Sequence, residues 1–194
     1  MHKQNESLAE AVKKVIADSI DGTGEVFNAV MDAVSGAVTN VIRDTEKMGV
    51  SLIEALSDVI ASAVEGTHAA GGDLGAAARG IVLSVLRAGR EAGAGTVDVL
   101  GTLAGMVIKK TGEIKGDLEA AAKGLVAGAV EGARELDLNV EAASLKAATG
   151  AVGAAYEISS DAGDRVLSAV TAVAENIPDV KAVLKEPLRL RNKN

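Results

Sequence analysis

An all-α fold is predicted for this 194-residue chain, and three observations predict it. A motif recurs without a gap 44 residues apart, Gly72-Asp-Leu-Gly-Ala-Ala-Ala-Arg-Gly80 against Gly116-Asp-Leu-Glu-Ala-Ala-Ala-Lys-Gly124. Helix-starting and helix-ending residues punctuate the chain at regular distances. No stretch shows the sustained alternation with β-branched and aromatic enrichment that marks a strand. Self-similarity at a period of this size means stacked supersecondary units. Forty-four residues accommodate two helices of about 18 to 20 residues with their turns, so the unit is an antiparallel helical hairpin. The expected architecture is a compact helical bundle or a short solenoid of such hairpins.

The elements follow in order. Helices are expected near 7–20, 25–47, 51–65, 73–92, 97–114, 117–136, 140–158, 161–176 and 179–186. Ser7-Leu-Ala-Glu10 and Ser51-Leu-Ile-Glu54 have the form of capping boxes. Asp73 and Asp117 precede Leu and a run of Ala, where a carboxylate accepts the orphan amide protons of a first turn. Thr96, Asn139 and either Ser160 or Asp161 are further N-cap candidates. Gly22, Gly49, Gly66, Gly71 and Gly93 stand where helix ends need a residue tolerant of the left-handed region. Pro178 suits the first turn of the last short helix, and Pro187 ends it.

Within a unit the two helices differ. In 117–136, Leu118, Ala122, Leu125, Ala129, Ala133 and Leu136 share one face, with Glu119, Lys123 and Arg134 opposite. Gly124, Gly128 and Gly132 form a small-residue stripe along one border, and the preceding copy repeats it as Gly80, Ser84 and Ala88. These six residues are the candidate packing edge. In 97–114 and 140–158 apolar residues point in nearly every direction, and charges are few. A helix apolar all round is a buried one, so the second helix of each unit is expected to be central and the first more exposed.

Composition bounds the function. Hydrophobic residues make up 48% of the chain but aromatics only 1%, Phe27 and Tyr156. The core must therefore be built from Ala, Val, Leu and Ile, with helices approaching closely because small side chains leave little between backbones. Without Cys there is neither disulfide nor thiolate chemistry, which fits a reducing, cytoplasmic setting. The net charge of −7 repels phosphates, and the lack of aromatics removes a base-stacking platform, so nucleic acid is not an expected partner. Met1 to Ala17 mixes charges into its apolar positions, unlike a secretory leader. No apolar stretch reaches the ~20 residues a membrane span requires.

Candidate chemistry is sparse. His2 and His68 are the only histidines, and they are placed neither as metal ligands nor as a general base. No metal, cofactor or catalytic residue is assigned. Carboxylates lie at helical charge-pair spacings, Glu10 with Lys14 and Glu131 with Arg134 or Glu135. The segment Arg87 to Gly95 is Gly-rich but lacks the strand before and the Lys-Ser/Thr after that a phosphate loop needs. Arg87 and Arg90 in it could bind an anion, but single arginines on a helix end are usually solvated. Residues 1–180 form one helical-repeat domain, and 181–194 a basic tail in which Lys181, Lys185, Arg189, Arg191 and Lys193 face one acid, Glu186. That tail could contact an anionic membrane surface or an acidic partner, the acidic body of the chain included, or remain a solvated terminus.

The run Gly116-Asp-Leu-Glu-Ala-Ala-Ala-Lys-Gly-Leu-Val-Ala-Gly-Ala-Val-Glu-Gly-Ala-Arg-Glu resembles the Ala/Gly-rich helical repeats of uncharacterised prokaryotic proteins. The resemblance covers about residues 72–158 and implies a repeated helical architecture without an activity. The chain also resembles, without a shared motif, the phasins, Ala-rich helical proteins that coat polyester granules. Three functions are consistent with the sequence. One is a structural or interaction protein, as a homo-oligomer through its Ala/Gly edges. The second is an amphitropic protein that covers a lipid or granule surface by opening its helices. The third is a carrier or enzyme with an apolar pocket between helices.

Overall fold

The computed structural model describes residues 10–16, 18, 26–48, 52–91 and 97–175. Every regular element among them is a helix and there is no strand. Residues 10–16 are helical (α1). They are followed by α2 (Val26–Met48), α3 (Leu52–Ala69), α4 (Leu74–Glu91), α5 (Leu100–Glu113), α6 (Leu118–Glu135), α7 (Val140–Ile158) and α8 (Ser160–Glu175). The expected helix 179–186, the capping boxes opened by Ser7 and Ser51, Thr96, and the glycines at 22, 49 and 93 lie outside the described residues.

The turns recur as the helices do. At the end of α3 the Gly72 amide donates to the Thr67 carbonyl (2.8 Å) and Gly71 to His68 (3.0 Å). At the end of α5, Gly116 donates to Thr111 (2.8 Å) and Lys115 to Gly112 (3.0 Å), 44 positions on. These paired bonds form the Schellman closure, which places one residue in the left-handed region. Gly71 (φ 69°), Lys115 (φ 55°) and Asp137 (φ 54°) occupy it. The next helix then starts on a side-chain cap. Asp73 accepts from the amides of Gly75 and Ala76, Asp117 from those of Glu119 and Ala120, and Asn139 from that of Ala142. The cap of α8 is Ser159, whose Oγ accepts from the Ala162 amide at 3.0 Å, one residue before the expected Ser160 or Asp161. Residues 97–99 form a turn, so α5 begins at Leu100. Gly66, expected to end the third helix, lies inside α3 instead. A Cβ there would meet the Lys13 carbonyl oxygen at 3.0 Å, so this glycine serves a close approach of α1.

The helices alternate between two layers. In one, α2, α4, α6 and α8 lie side by side in that order; in the other, α3, α5 and α7 do so, with α1 against α3 through Lys13 and Glu65. Neighbours within a layer thus stand two apart in the chain, with the most extensive packing of α4 on α6, of α5 on α7 and of α2 on α4, while consecutive helices form the hairpins that join the layers. Burial recurs in the same register. Leu56, Leu100 and Ser144 are buried, as are Ile60, Ala104 and Ala148, and Val64, Ile108 and Val152, each set 44 apart on α3, α5 and α7.

The expectation that second helices are central is overturned. The most enclosed helix is α4, a first helix, in which all seven residues from Gly80 to Leu86 are buried. It lies between α2 and α6 with the other layer beneath it. By contrast α5 and α7 keep Thr102 exposed and Gly101, Gly105, Met106, Leu145, Thr149 and Gly153 half-buried. Most of these positions carry Gly or Thr, whose small apolar area costs little to leave in water. The absence of charge on a helix made of small residues is thus a weak sign of burial.

Two threonines at equivalent positions differ in one bond. The Thr67 hydroxyl donates to the Ala63 carbonyl at 2.8 Å, whereas the buried Thr111 hydroxyl has no partner among the described residues. Thr111→Val should therefore raise stability by about 1 kcal/mol and Thr67→Val should not, because an unmade buried bond is the costlier state. Urea midpoints of the two variants would show the difference, and equal shifts would contradict it.

Candidate functional site

The predicted packing edge is where the structure concentrates its closest contacts. All six of its residues are buried. A Cβ added at Gly124 would fall on the backbone of Gly75. One at Gly128 would meet the Arg79 carbonyl oxygen at 2.8 Å, and one at Gly132 the Leu86 Cδ1 at 2.5 Å. So the stripe of α6 seats α4. The matching stripe of α4 seats α2. A Cβ at Gly80 would meet the Phe27 carbonyl oxygen and Val30 Cγ1, both at 3.2 Å, and Ser84 Oγ lies 3.4 Å from the Met31 carbonyl oxygen and 3.2 Å from Ser35 Oγ. The edges expected to join copies of the chain are therefore occupied within one chain.

A second such crossing escaped the sequence reading. A Cβ at Gly150 on α7 would fall on the backbone of Gly101 on α5. Both layers are thus fastened by a glycine–glycine contact between helix n and helix n+2. The signal was present as small residues at helical spacing in 97–114 and 140–158, but the all-round apolar character of those segments concealed it.

Ion pairs run along the same joints. Arg79 pairs with Glu131 (2.5 Å) and Arg87 with Glu135 (2.6 Å) between α4 and α6. Lys146 on α7 meets Asp98 in the turn before α5 (2.8 Å), Lys109 meets Glu157 (2.7 Å) between α5 and α7, and Arg165 meets Glu119 (2.7 Å) between α8 and α6. The two parallel bonds of Arg87 to Glu135 hold that carboxyl below the ordinary carboxylate range. Glu131, expected to pair with Arg134 along its own helix, reaches across to α4 instead, as Glu135 does. Arg87 and Arg90, expected to be solvated, are engaged as well, Arg90 donating to the Leu136 carbonyl. The Arg79 guanidinium also lies 4.7 Å from the centroid of the Phe27 ring, a cation–π contact that binds α2 to the same joint.

Glu65 is the hub of the other layer. It accepts from Lys110 (2.5 Å) on α5 and from Lys13 (3.1 Å) on α1. The Lys110 bond holds its carboxyl below the ordinary 4.5, against the opposing effect of burial and with further help from Lys13. A depressed carboxyl contributes stability that is fully present above its unfolded pKa and disappears as pH falls through the folded one. Glu65→Gln should therefore cost about 0.5–1 kcal/mol at neutral pH. That deficit should close in acid below pH 4.5, the ordinary value of the carboxyl. Thermal melts of both proteins between pH 7 and 3 would check it, and a deficit that persists in acid would contradict it.

His68 is exposed at the end of α3, and His2 lies outside the described residues, as do Lys181, Lys185, Arg189, Arg191 and Lys193. Among the described residues no three His, Asp or Glu side chains are gathered to hold a metal ion, and no helix is long and apolar enough to cross a membrane. No protein-family model matches the chain, and no curated protein is significantly similar to it. What the arrangement does chemically is to fix helices to one another.

Proposed function

We propose that this chain is a non-enzymatic structural or interaction protein, a rigid helical scaffold that presents its charged outer faces to a protein partner. The observation that carries the reading is the backbone-to-backbone seating of Gly124 on Gly75 and of Gly150 on Gly101. Contacts of this kind allow little relative motion of the helices, because backbone set against backbone leaves no side chain that could yield. The ion pairs across the same joints support the reading, since they tie basic and acidic groups to one another in place of a ligand. The amphitropic alternative requires these joints to separate and bare α4, the most enclosed helix.

Hydrogen exchange distinguishes the two. Amides of α4 and α6 should exchange only through global unfolding, with the same protection in buffer and with vesicles rich in phosphatidylglycerol. Loss of protection in α4 on adding vesicles would overturn the scaffold reading in favour of a lipid-covering one.

A further inference from the structure

We draw no further inference here: the strongest candidate, the surface patch where the exposed Ile158 at the end of α7 stands over Gly112 of α5 beside Leu118 of α6, carries nothing because nothing in the structure shows what covers it.

Discussion

Gly124→Ala should destabilise the protein by about 2–3 kcal/mol, although alanine is the better helix former by about 1 kcal/mol. The added methyl falls on the Gly75 backbone. Backbone cannot change rotamer, so α4 and α6 must move apart. That movement weakens the seating of Leu86 against Gly132 and of Val82 against Gly128, and it stretches the Arg79–Glu131 and Arg87–Glu135 pairs. Gly150→Ala should behave alike, because its methyl meets the Gly101 backbone in the other layer. Gly36→Ala is the control. It stands in the same register of the same repeat, but its methyl enters open space, so it should raise stability by about 0.5–1 kcal/mol through propensity alone. Urea unfolding of the three variants measures all of this. Losses of equal size at 36 and 124 would mean that the contact of α6 on the Gly75 backbone is not what disfavours alanine at 124.

The same comparison shows what could be read from the residues. The helices and most of their caps were legible because Asp73, Asp117 and Asn139 act locally, through amides two or three positions away. The stripe of Gly124, Gly128 and Gly132 was legible as an edge, yet its partner was not. A small-residue border looks the same whether it meets a second copy or a helix 44 residues earlier in its own chain. Charge pairing failed for a related reason. Glu131 lies three residues from Arg134, but the helix it meets is α4, and Arg79 reaches it from 52 positions away. Only the stacking order determines such a partner, and stacking order is a property of the whole array. As for the site, no residue pattern announced a chemistry, and the one feature that was legible was the small-residue edge.

The second large effect tests which helix is central. Leu86→Ala in α4 should cost about 3–5 kcal/mol, whereas Met106→Ala in α5 should cost no more than about 1.5 kcal/mol. Judged by charge alone the order would be reversed, since α4 carries Arg79, Arg87 and Arg90 while α5 has no charge before Lys109. Leu86 is fully buried, and its Cδ1 fills the notch left by Gly132. Truncation there empties a cavity walled by two helices already in backbone contact, which cannot close around it, and residual cavity volume is what raises the cost of such changes. Met106 is half-buried on the outward side of α5, where water replaces the lost contacts. The arginines of α4 do not contradict its enclosure, because their long stems carry the charge out to partners on α6 and leave the methylenes packed. If calorimetry found Met106→Ala the more damaging of the two, α5 rather than α4 would be the axis of the array, and the layer order built on Gly124 would fail with it.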